Sequence, residues 1–417
     1  MTDRPIEPLA DRATGAPAGD RAGAREVDPV GSPAVSVHAY PWDVLGDPGF
    51  ADRFRASGAD AVTLALSYHS TRAATPVHPE RTFVDARHSA LYRPVRPEAW
   101  AGHRLVPVAA DWTPGPDPGA TALGLLGAAG IPVNAWIVLA HNSRLGYRNP
   151  DLTVVNCHGE HYPYALCPAR AEVRRYCATL AAEALHGLPP GAVRSVSLES
   201  AGQLGAVHLG CHEKTDGAYP PTALRALSVC CCAVCQDGWR RYGLDPERTL
   251  ALLREAARSG ELLPGPTADA LLTVRHLATD ALIRQVTAAV RTAAPGATVT
   301  LHAHPDPWAT GPSPGLTANA AGLADALLVP CWPTGQESAE LVRRAAATGR
   351  PVDAYVTALP PARPEDLAAH VRRLRAAGAA RLSLYHLGLL PARLQPVLAE
   401  LAEAFRSTPV RQEHQPR

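Results

Sequence analysis

Short runs rich in β-branched and aliphatic residues recur along the chain, and between them lie stretches of Ala, Arg and Leu with helical period. The strand candidates are AVSVHAY (34–40), ADAVTLALSYH (59–69), IPVNAWIVLAHN (131–142), AVRSVSLES (192–200), ATVTLHAHP (297–305), DALLVPCWP (325–333), RPVDAYVTALP (350–360) and AARLSLYHLG (379–388). The intervening segments, such as ARAEVRRYCATLAAEALHG and PEDLAAHVRRLRAAGAA, close on Gly or Ala–Gly, a helix-ending signal. Regular alternation of this kind is the pattern of βα units.

Eight such units in 417 residues predict an α/β fold, a (β/α)8 TIM barrel, with long loops after strands 2 and 4. A doubly wound open sheet is the alternative. It is disfavoured because no Gly-rich phosphate loop follows the first strand. Residues 1–32 mix Ala, Gly, Pro, Asp and Arg without period and read as a disordered leader; the barrel is expected over 33–406, with an inserted loop at about 200–245, and 407–417 as a flexible tail. No signal peptide and no uncharged stretch long enough to cross a bilayer is evident, which predicts a soluble, cytoplasmic protein. In a reducing compartment nine cysteines point to a metal site rather than to disulfides. The formal charge is +1 and the arginines are interleaved with acids, so nucleic acid is not an expected partner. Oligomeric state is not legible.

Most strand candidates finish in polar or aromatic residues: His38 and Tyr40, Tyr68 and His69, His141 and Asn142, Glu199, His302 and His304, Trp332, Thr357, Tyr385 and His386. A barrel gathers these at one mouth. Alternation places His302 and His304 on one face, and Glu199 ends its strand where a side chain enters the cleft. Aromatic faces cover sugar rings while polar tips bind hydroxyls, so the expected ligand is a carbohydrate or another polyhydroxylated small molecule. His212, in the HLGCHEK loop (208–214), is a further candidate for contact with it.

Cys230, Cys232 and Cys235 form C-x-C-x-x-C, a spacing that sets three thiolates on one small cation and leaves a fourth position for Cys167, Cys211 or Cys157. Cys231, between two ligands, would face away. Clustering favours zinc, and a closed four-thiolate site is structural.

A strand ending in Glu, a loop containing CH, then C-x-C-x-x-C and a helix carrying RRYG resembles the zinc-bearing family 42 β-galactosidases and related clan A glycoside hydrolases, over about residues 160–245. That resemblance implies Glu199 as general acid/base and zinc held by Cys167 (in LCPARAEVRRY), Cys230, Cys232 and Cys235. Two departures stand out. The residue before Glu199 is Leu198 where the family has Asn, and no carboxylate ends the seventh strand, where the family places its nucleophile. Glycoside hydrolysis normally uses two carboxyl groups, and Asp306, Glu213 and Asp216 are the candidates for the second. The leading expectation is therefore a glycoside hydrolase-like protein. The alternatives are a metal-dependent hydrolase using His302 and His304, and a barrel that binds carbohydrate without turnover.

Overall fold

The computed structural model describes residues 34–208, 213–215 and 217–410. The expected leader, most of the expected tail, and Cys211, His212 and Asp216 lie outside the described residues.

Each strand window holds an observed strand: β1 Val35–Ala39, β2 Ala61–Tyr68, β3 Val133–Val138, β4 Ser195–Glu199, β5 Thr298–His302, β6 Ala326–Pro330, β7 Val352–Thr357 and β8 Arg381–Tyr385. All eight are parallel and paired in chain order, and β8 returns to β1, which closes a (β/α)8 barrel. A helix follows each strand before the next or at the end: α1 Phe50–Ala56, α2 Pro118–Ala128, α3 Ala171–Leu185, α4 Gly265–Ala293, α5 Ala318–Leu323, α6 Gln336–Ala346, α7 Pro364–Ala376 and α8 Gln395–Arg406. Local chemistry sets several boundaries. Asp117 caps α2 by accepting from the Ala120 N–H, with Pro118 in the first turn, and Gly130 takes φ +71° just beyond the helix.

Why these strands alternate is visible in the packing. Val35, Val37, Leu64, Val133, Ile137, Val196, Leu198, Val299, Leu301, Leu327, Val329, Val356 and Leu384 join the helix-side apolar core. The intervening residues face the axis and satisfy one another: Ser36 with Ser383 Oγ at 3.1 Å, Arg381 with Asp353, and Ser197 Oγ with His302 Nε2 at 2.9 Å. Parallel strands buried on both sides usually read as continuous apolar runs. Here the polar axis restores period 2.

The long connections carry their own structure. After β2 comes an antiparallel ribbon, Thr71–Ala74 with Phe83–Ala86, and Ala90–Leu91 then pairs antiparallel with the end of β2. Helices Pro221–Leu227, Ala233–Arg241 and Pro246–Ser259 fill the β4–β5 insertion ahead of α4. The β3–β4 connection contains, ahead of α3, a hairpin of Thr153–Val155 and His161–Leu166. A further difference lies in β5, which ends at His302. Beyond it Ala303 N–H still bonds the Leu328 carbonyl, but His304 bridges Gly315 in the following loop and its ring accepts from the Asp306 N–H.

Candidate active site and candidate zinc centre

Glu199 ends β4 at the C-terminal mouth of the barrel and is only 4% exposed. Trp136 on β3 donates its indole Nε1–H to Glu199 Oε2 at 2.8 Å. Burial pushes the carboxyl up to about 7, against the lowering effect of that hydrogen bond, and no other carboxylate among the described residues contributes. His302 Nδ1 lies 3.8 Å from the same Oε2, but burial, with His38 nearby, holds His302 down to about 3, so it faces Glu199 as a neutral ring. Tyr68 and Tyr355 are raised first by burial, then by neighbouring phenols and by the charge of Glu199, which identifies them as its surroundings. Ser200, the next residue, has φ +56°, a conformation uncommon for residues other than Gly.

Aromatic rings gather around this glutamate, Tyr40 and Tyr385 each lying beside Trp136. Tyr40 stacks on His386 at 4.3 Å between ring centres, and its hydroxyl meets that of Tyr385 at 3.0 Å. Trp332 stacks on Tyr385 at 5.7 Å, meets Tyr355 at 5.9 Å and remains 45% exposed. Behind His386 lies Asp43, buried, accepting from the Tyr40 N–H at 2.8 Å and raised to about 7 by burial.

Other sequence-predicted residues fall elsewhere. Asn142 caps the helix Ser143–Arg148 through the Leu145 N–H and donates to Tyr176 Oη, so its polar atoms serve structure. His304 Nδ1 accepts from the Asp306 N–H, and Asp306 accepts from the Trp308 N–H and sits 3.7 Å from Arg225; neither contacts Glu199. His69 stacks on Tyr68 and lies beside His141. Trp136, Tyr355 and Asp43 were not singled out from sequence. The first two lie inside strands, yet both fall on the period-2 face that carries Glu199 and Thr357, and Asp43 follows β1 in the helix-starting segment YPWD.

The sulfurs of Cys167, Cys230, Cys232 and Cys235 lie within 4.8 Å of one another and all four residues are buried. Among the described residues this is the group of three or more ligand-type side chains that converges. Cys167 Sγ is 3.6, 3.9 and 3.8 Å from those of Cys230, Cys232 and Cys235. Tetrahedral zinc with Zn–S of about 2.3 Å separates its sulfurs by about 3.8 Å, so the cluster fits the ion. Cys232 is the N-cap of Ala233–Arg241, and hydrogen bonds from Cys167, Cys230 and Cys235 hold its thiol well below the usual range. Cys231 turns away to the Val229 carbonyl, and Cys157 packs with it against Trp239. Zinc here would tie the β3–β4 hairpin, which ends at Cys167, to the β4–β5 insertion. The same two segments are also joined by Cys231 N–H to the Val155 carbonyl and Tyr162 Oη–H to the Leu227 carbonyl.

Fold and side chains define a (β/α)8-barrel protein with a buried glutamate at its mouth and a four-cysteine centre beside it. No protein-family model and no curated protein sequence matches the chain. Solved structures share the fold. The α-L-fucosidase isoenzyme 2 of Paenibacillus thiaminolyticus aligns with a TM-score of 0.55 at 12% identity, over 88% of this chain and 48% of that one. The β-galactosidase of Bacillus circulans sp. alkalophilus gives 0.55 at 12% identity, over 89% of this chain and 55% of that one. The catalytic domain of the Paenibacillus polymyxa β-amylase gives 0.54 at 12% identity, over 89% and 98%. The chain thus spans about half the length of the first two and nearly all of the third. At such identities the likeness is one of fold.

Proposed function

We propose that this chain is a glycoside hydrolase-like protein acting on a carbohydrate, with Glu199 as the acid/base group. The observation that carries the reading is a carboxyl at the C-terminal end of β4, buried against Trp136 and raised to about 7. A carboxylic acid tuned near neutrality can give its proton to a leaving glycosidic oxygen and later take one back. Trp332, Tyr385 and Tyr40 supply the aromatic faces that sugar rings prefer. The four thiolates would hold zinc in a structural role, and a thiol set of that kind favours residence in the cytoplasm. No helix among the described residues is long and apolar enough to cross a membrane.

A second reading, carbohydrate binding without turnover, is favoured by one observation: β7 brings Tyr355 and Thr357, not a carboxyl, toward the mouth. Metal-dependent hydrolysis through His302 and His304 has less support, since His302 bonds Ser197 while His304 bonds the Asp306 N–H. The deciding experiment is turnover of an aryl-glycoside panel by wild type and Glu199→Gln. Hydrolysis lost in the variant supports the acid/base role. Saccharide binding with no hydrolysis by wild type would replace it with the binding reading.

A further inference from the structure

We propose that His141 and His208 form a second metal site, for a divalent transition cation such as Zn2+ or Ni2+, at the barrel mouth and separate from the four cysteines. Their Nε2 atoms face each other at 3.0 Å. Two imidazoles bound at about 2.0–2.1 Å, with an angle at the metal between square and tetrahedral, place their nitrogens about 2.9–3.4 Å apart.

The His208 ring is set up as a metal ligand usually is. Glu213 Oε2 lies 3.4 Å from His208 Nδ1. A carboxylate on the far nitrogen fixes the tautomer, keeps the proton on Nδ1 and presents a bare Nε2, the recurrent support for metal-bound histidine. Tyr164 stacks on the His208 ring at 4.1 Å, and its own hydroxyl is anchored on the Gly205 carbonyl. His141 is held by the same hairpin, through the bridge to Ala165 and the bond from Asn142 N–H to the Tyr164 carbonyl. His208 and Glu213 remain about a quarter exposed, with side-chain accessibilities of 24% and 29%, which leaves coordination positions for water or a ligand oxygen.

Without a cation the His141 Nε2–H donates to His208 Nε2. The cation takes the place of that shared proton, and His141 then carries its proton on Nδ1, a buried nitrogen without a hydrogen-bond partner. His69, 4.5 Å from His141 between ring centres, stacks on Tyr68, which in turn meets Trp136 at 4.6 Å, so a run of rings links the site to the glutamate. Imidazole donors suit zinc, nickel and copper, whereas the thiolate site selects softer ions.

The test is calorimetric titration of NiCl2 into the full chain after its thiolate site has been filled with zinc. Wild type is expected to take up a further cation, His141→Ala and His208→Ala to take up none, and Glu213→Gln to bind about 10- to 100-fold more weakly. Circular dichroism and retained thiolate zinc show that the variants are folded. Nickel absorption spectra of wild type provide a readout that needs no variant: imidazole scattering is expected. No uptake by wild type, equal uptake by His208→Ala, or a first shell of sulfur alone would overturn the proposal and leave the pair as a neutral N–H···N hydrogen bond.

Discussion

The indole N–H of Trp136 reaches across from β3 to Glu199 Oε2 at 2.8 Å, while the register pairs Trp136 with Ser197, two residues before the glutamate. A donor fixed in this way stabilises the carboxylate, and burial works against it. The balance leaves Glu199 at about 7 rather than higher.

If Glu199 is the proton donor, Glu199→Gln lowers kcat by about 10²- to 10⁴-fold with little change in fold. The alkaline limb of wild-type kcat/KM is expected near pH 7, where Glu199 loses its proton. Trp136→Phe removes the donor that lowers the carboxyl's pKa, so the limb moves to higher pH. Rate profiles on an aryl glycoside check both, and a limb that stays in place in Trp136→Phe would detach the indole from the ionisation.

The same shift predicts a stability effect that needs no substrate. Glu199 is raised from 4.5 to about 7 on folding, so its contribution is complete below about pH 4.5 and is lost as pH rises through about 7. The shift corresponds to about 3 kcal/mol. Glu199→Gln should therefore gain on wild type between pH 5 and pH 8 in urea melts, since the glutamine has no charge to bury. Parallel pH dependences would show that folding does not shift the ionisation of Glu199.

Much of this arrangement is written in local pattern. Eight period-2 runs separated by helical stretches define the barrel, because the outward face must be apolar against the helices while the axis is filled by paired polar groups such as Asp353 and Arg381. Glu199 at the end of β4 and the convergence of the C-x-C-x-x-C thiols are legible as places in the fold, because strand position and spacing point to them. Trp136 and Tyr355 are harder to see: both are aromatic residues inside strands, and only the closed register sets them beside Glu199. The Thr153–Leu166 hairpin is signalled only by the NCHGE turn, where Gly159 takes φ +83° and the Asn156 side chain accepts from the His158 and Glu160 N–H groups. Asp306 illustrates the opposite failure. An acid after a strand end suggests a cleft, but its turn directs it to the Trp308 N–H and Arg225.

Zinc content should separate neighbours in the cysteine run. Cys232→Ser is expected to lose the ion and lower the unfolding midpoint, because the hairpin and the insertion are no longer tied. Cys231→Ser should retain zinc, since that sulfur faces the Val229 carbonyl. Emission spectrometry on reduced protein checks both, and equal loss in the two variants would argue against the assigned ligand set.

The hairpin's seat offers a test of how Cys167 is positioned. A Cβ built on Gly146 falls 1.7 Å from the Pro163 carbonyl oxygen and 3.0 Å from Thr153 Cγ2. Both contacts belong to the hairpin segment that leads into Cys167, and one of them is backbone, so Gly146→Ala cannot be absorbed by a side-chain rotation. The hairpin has to shift, at a cost of about 1–3 kcal/mol. The other three thiols lie more than 60 residues further on, beyond α3 and β4, and their segment is joined to the hairpin at Val155 and Tyr162 rather than at Pro163, so a shift at Pro163 changes the position of Cys167 relative to them. Gly146→Ala is therefore expected to release zinc to a chromogenic chelator faster than wild type while retaining the barrel's circular dichroism. Release at the wild-type rate would mean that Cys167 is held by the cluster itself rather than by the hairpin.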